Sequence, residues 1–121
     1  MTKVVHFELN VEDPERARKF YEDVFGWKIE KWTSALDYWM ITTGEEKEQG
    51  IDGALQPRID SQKTVILISV PSVDEFMEKV VKAGGKVIQE KTAVRCVGYL
   101  AYCEDTEGIM FGILKVDPSA R

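Results

Sequence analysis

The chain is expected to fold as an α+β protein built from two copies of one unit, a strand, a helix and three more strands. Three observations predict this. Between His6 and Trp27, in HFELNVEDPERARKFYEDVFGW, the apolar period changes from two to 3.6 and back, with a marker at each change. A second passage of the same kind runs from Val65 to Gly85. Shifting the first by 59 residues lays Val11 on Val70, Asp13 on Ser72 and Gly26 on Gly85, which an internal duplication explains more simply than chance. Two similar sheets follow, each with a helix on its back, in modules spanning residues 1–58 and 63–117.

Val5, Phe7, Leu9 and Val11 alternate with His6, Glu8 and Asn10, so the first strand buries one face and carries polar chemistry on the other. Asp13 can cap the orphan amides of a helix, and Pro14 suits its first turn. Ala17, Phe20, Tyr21, Val24 and Phe25 then form one apolar stripe, and Gly26 closes the helix. Strands are expected over Trp27–Trp32, Leu36–Thr42 and Ile51–Leu55, with the charged loop GEEKEQG before the last. Gly50 and Gly53 suit close backbone approach on a strand. Arg58–Lys63 is polar and suits a hinge between halves.

The apolar run VILISV at Val65–Val70 predicts a strand buried on both faces, and Pro71 breaks it. Ser72 and Glu75 form a capping box ahead of a helix whose stripe is Val73, Phe76, Met77, Val80 and Val81. Gly84-Gly85 stops it. Strands are expected from Val87-Ile88, over Tyr99–Cys103 and over Ile109–Val116, with a tight turn at Glu104–Gly108. That acidic turn lacks the alternating carboxylates of a calcium loop.

At 121 residues the chain has room for one ordinary domain. Its net charge of −5, with basic residues scattered among acidic ones, argues against nucleic acid or an anionic membrane as partner. No apolar run reaches the roughly 20 residues of a membrane span, and MTKVVHF lacks a signal-peptide core, so a cytoplasmic location is expected. Cys96 and Cys103 form no CxxC pair and are expected as two reduced core thiols.

The segments HFELNVEDPERARKFYEDVFGW, GIDGALQPR and VGYLAYCEDTEGIMFGI resemble the vicinal oxygen chelate superfamily, which includes glyoxalase I, extradiol dioxygenases and bleomycin and fosfomycin resistance proteins. The resemblance implies two βαβββ modules whose strands form a cup-shaped mixed sheet with helices on the outside. It also implies a small molecule or a metal inside, and homodimers that often pair modules across chains. Metal-using members take ligands from the first and last strand of each module. His6 matches the first position, whereas the second offers only Asp52 or Gln56, the third holds Val65 and the fourth holds Gly112. About three protein donors are needed even in an open site, so no metal cofactor is expected, a divalent metal being the alternative.

His6 is the only histidine, and Glu8 shares its face about 6.5–7 Å along the strand. Together they could exchange protons or bind a polar ligand, or they could be satisfied by hydrogen bonds and a cross-strand ion pair. Trp39, Tyr99 and Tyr102 are pocket candidates on the implied cup strands, and alternation lets only one of Tyr38 and Trp39 face inward. The expected role is a metal-free small-molecule binder. The alternatives are a glyoxalase-type lyase or isomerase that uses His6 with a recruited Glu8 or Asp52, and a drug-sequestering protein without catalysis.

Overall fold

A computed structural model describes residues 2–58 and 62–121. The chain runs β1 (Val4–Val11), α1 (Pro14–Phe25), β2 (Lys28–Lys31), β3 (Trp39–Thr42), β4 (Gly53–Pro57), β5 (Thr64–Ser69), α2 (Val73–Lys82), β6 (Lys86–Val94), β7 (Gly98–Glu104) and β8 (Met110–Val116). It divides into two compact units, His6–Val65 and residues 2–5 with Ile66–Arg121. Residues 2–5 are thus grouped with the second module, where the Lys3 carbonyl accepts from the Ser69 amide at 2.8 Å. The hinge expected at Arg58–Lys63 falls, over 59–61, outside the described residues. Among the described residues no helix is long and apolar enough to cross a membrane.

Both modules have one topology. In the first, β1 runs parallel to β4, β4 antiparallel to β3 and β3 antiparallel to β2. In the second, β5 runs parallel to β8, β8 antiparallel to β7 and β7 antiparallel to β6. The doubled βαβββ order is therefore present, with a mixed sheet and one packed helix in each copy.

The caps act as their residue types dictate. Asp13 accepts from the Arg16 amide at 3.1 Å, and Gly26 closes α1 at φ 70°. Ser72 accepts from the Glu75 amide at 3.2 Å, but α2 ends at Lys82 with Ala83 rather than Gly84 as its cap, and Gly84 at φ 101° lies just beyond. Asp105 accepts from the amides of Glu107 and Ile109 at 2.8 and 2.9 Å, which closes the acidic turn as a turn. Gly53 is needed for packing, because a Cβ there would lie 2.6 Å from the Phe7 carbonyl oxygen on the adjacent β1.

Several boundaries and faces differ from expectation. β3 begins at Trp39 rather than Leu36, since Thr33 Oγ1 takes the Ala35 amide and holds that segment in a turn. β4 begins at Gly53 rather than Ile51, because the Asp52 carboxylate accepts from the Thr43 amide at 2.9 Å and keeps residue 52 in the loop. On α1 only Ala17 and Tyr21 reach the cluster of Ile29, Trp39, Ile41 and Leu55. Phe20, Val24 and Phe25 stay 55–60% exposed, so the apolar stripe is wider than the sheet it covers. The run at Val65–Val70 is not buried on both faces, for Ile66 is 40% exposed. Cys103 is buried but Cys96 is exposed at φ 66° in the turn between β6 and β7, so only one thiol belongs to the core.

Candidate functional site

The polar face of the first module begins with strand parity. Phe7, Leu9 and Val11 pack into the cluster beneath α1, which turns His6, Glu8 and Asn10 to the opposite side of β1. The parallel register with β4 sets Glu8 beside Ala54 and Asn10 beside Gln56, and β3 adds Met40 opposite Ala54. Gln56 donates to Asn10 Oδ1 at 2.9 Å, and Asn10 Nδ2 donates to the Gln62 carbonyl at 3.1 Å.

Glu8 is only 4% exposed, and no buried polar side-chain atom among the described residues lacks a partner. Its charge reaches Tyr38, whose phenol is pushed up to about 12, first by burial and then by the Glu8 carboxylate. His6 is half-buried and its pKa is lowered by burial, against a smaller opposing pull from Asp52. The face therefore offers, at neutral pH, a protonated phenol donor and a neutral imidazole beside the Glu8 carboxyl group. Such a set can bind a polar ligand group or pass a proton.

These shifts fix a pH dependence. Folding disfavours charged His6, so stability is lost as pH falls from the unfolded value of about 6.5 through the lower folded one, and His6→Gln should flatten that acid limb in denaturation midpoints. Folding also disfavours tyrosinate at position 38, so stability is lost as pH rises from about 10 towards 12. Ultraviolet titration should show one of the four tyrosines ionising near 12, and Glu8→Gln should lower it in part, since burial is the larger cause. Four tyrosines titrating together near 10 would contradict this placement.

The other candidates are separated by the fold. Trp39 lies in the hydrophobic cluster on the α1 side of the sheet, and Tyr38 is the aromatic that reaches Glu8. Tyr99 packs with Ala101 and Cys103 on the α2 side of the second sheet, with Lys91 Nζ 5.4 Å from its ring centroid. Tyr102, half-buried, is on the opposite face of β7, close to Gly112. Asp52 was considered only as a metal donor, and of Tyr38 and Trp39 the sequence reading singled out Trp39. The signal for Tyr38 was present, because Trp39 and Ile41 share a parity that leaves Tyr38, Met40 and Thr42 to the polar side.

Whether a transition metal suits this donor set can be read from the residues. Among the described residues no three His, Cys, Asp or Glu side chains converge. Val65 is buried hydrocarbon, and a Cβ at Gly112 would collide with Leu67 Cδ2. Two of the four implied positions are thus occupied by apolar matter, and the residues present do not fit a metal centre within the chain.

A family model described as bleomycin resistance protein-like N-terminal matches residues 3–44. Over 113 residues the chain is 29% identical to the Mycobacterium bovis protein CFP32, provisionally named a glyoxylase. That match takes in 92% of this chain but 43% of the relative, so the chain spans well under half the length of the curated relatives it matches. Among solved structures, a methylmalonyl-CoA epimerase in complex with methylmalonyl-CoA and ammonium aligns with a TM-score of 0.70 at 12% identity, covering 99% of this chain and 98% of that one. The Mn(II)-bound glyoxalase from Novosphingobium aromaticivorans aligns with a TM-score of 0.66 at 21% identity, covering 98% of this chain and 39% of that one. In its doubled βαβββ order and in the sequence match over residues 3–44 the chain is similar to bleomycin resistance-like and glyoxalase-like proteins, and its fold is that of the vicinal oxygen chelate structures it aligns with.

Proposed function

We propose that this protein binds a small oxygen-bearing organic molecule on the polar face of its first module, and does so without a transition metal. The observation that carries this is the buried Glu8 carboxylate, set on one face with a protonated Tyr38 and a neutral His6. A ligand hydroxyl, amide or cation could donate to the carboxylate alongside its existing partner, and a ligand carbonyl would accept from the phenol. The likeness to an epimerase held with an acyl thioester supports a ligand with an acidic hydrogen beside a carbonyl. For such a ligand Glu8 and His6 are suitable proton acceptors.

Calorimetric titration with Mn, Ni and Zn salts should show no stoichiometric sub-micromolar uptake. Methylmalonyl-CoA and the hemithioacetal of methylglyoxal should then be titrated without metal, with resonances of His6 and Tyr38 as reporters. Binding that weakens about tenfold in Glu8→Gln is expected, in keeping with loss of a charged hydrogen-bond partner. Tight stoichiometric metal uptake would overturn the proposal. A second reading, sequestration without turnover, is favoured by the resistance-protein match over residues 3–44. Recovery of the bound ligand unchanged after long incubation supports it, and product formation refutes it. A homodimer is also proposed, to be checked by light scattering.

A further inference from the structure

We infer that the first module carries a second ligand site, a groove where the end of β1 meets α1, for an organic oxyanion with a flat apolar body. The groove holds about 430 Å³, within the range of small-molecule sites. His6, Glu8 and Tyr38 are not in its lining; its apolar wall is Leu9, Val11 and Tyr21 from the α1 side of the sheet, and Asn10 at the end of β1 borders it. The Tyr21 ring is held by stacking on Trp27, with centroids 5.0 Å apart.

The charge here runs against that of the whole chain. The chain has 16 basic and 21 acidic residues, yet the described groove lining carries Arg16, Arg58 and Lys63 against one carboxylate, Glu12. Arg58 is oriented from both ends. Its amide donates to the Val11 carbonyl at 2.8 Å and its guanidinium meets Glu12 Oε1 at 2.7 Å. Arg16 reaches Asp13 only at 4.0 Å, and among the described residues Lys63 enters no ion pair. Two under-engaged cations and one aligned guanidinium, above an aliphatic and aromatic wall, are suited to a phosphate or carboxylate whose ring packs on Tyr21. Glu12 competes with such a ligand for Arg58.

The test uses the full chain, with backbone amide NMR titrations of phenyl phosphate, phenylacetate and neutral benzyl alcohol. Saturable shifts at Asn10, Arg16 and Thr64 are expected from at least one anion and not from the alcohol, and the two anion arms separate phosphate from carboxylate preference. The double variant Arg16→Gln/Lys63→Gln should weaken binding about tenfold, and added salt should weaken it in the parent protein. Glu12→Gln should tighten binding about two- to fivefold, the scale of an exposed ion pair. Both changed cations are exposed, and dispersed amide spectra report that the variants stay folded. Equal shifts with benzyl alcohol, unchanged binding in the double variant, or weaker binding in Glu12→Gln would each overturn the assignment.

Discussion

Trp39→Ala is expected to lower unfolding free energy by about 3–5 kcal/mol, the usual cost of truncating a buried tryptophan, while Tyr38→Phe should cost about 1 kcal/mol or less. Adjacent aromatics on β3 face opposite sides of the sheet, and this is the reason for the difference. Trp39 is 8% exposed among Ile29, Ile41 and Leu55, with Leu55 directly across on β4. Removing its ring leaves a void under α1 that the paired strands cannot close. Lys31 Nζ, 5.4 Å from the ring centroid, adds a small exposed cation–π contact that is lost with it. Tyr38→Phe keeps its ring and loses only the hydroxyl, so its effect should fall on ligand binding. A domain of this size has about 5–15 kcal/mol in all, so the Trp39 variant should unfold at clearly lower denaturant. A midpoint unchanged in Trp39→Ala would mean that this ring is not part of the core.

The second large effect is expected at Gly112→Glu, which places an acidic residue at the last donor position that the resemblance implies. A Cβ there would collide with Leu67 Cδ2 and would also lie 3.4 Å from both Leu100 Cδ1 and Tyr102 Cε1. Overpacking of this kind costs about 1–3 kcal/mol. A carboxylate forced among Leu67 and Leu100 adds a desolvation cost, so a total loss of about 3 kcal/mol or more is expected. No metal affinity should appear with it. Leu67→Ala/Gly112→Glu should regain part of the loss by opening the space. Denaturation of the three proteins, with calorimetric metal titration of each, checks both halves. A single variant as stable as the parent that takes up Mn or Zn would show that Leu67 does not block this position.

Much of the architecture was legible locally. Asp13, Pro14 and Gly26 delimit α1, and Ser72 starts α2, because caps satisfy backbone groups within a few residues of themselves. His6 and Glu8 could be placed on a polar face because parity along one strand needs no knowledge of its neighbours. Trp39 and Tyr99 were not resolved as core residues, because an aromatic suits a pocket wall and a packed sheet equally well. Cys96 looked like a core thiol by its apolar neighbours, yet the turn between β6 and β7 sets it outside. The groove at Arg16, Arg58 and Lys63 joins residues more than 40 positions apart, and no local pattern marks it.

By itself the chain's order of residues determined where strands and helices begin and end, to within a few positions, and that the unit occurs twice. Those features depend on interactions within one turn or one alternation. Only the tertiary structure decided that Tyr38 rather than Trp39 reaches Glu8, that Phe20, Val24 and Phe25 of the α1 stripe stay in solvent, and that Leu67 closes the space over Gly112. The physical reason is that burial belongs to pairs of surfaces. Which side of β3 is dry depends on Leu9 and Leu55 arriving from strands far away in sequence, and close packing then leaves each neighbouring side chain one place to go.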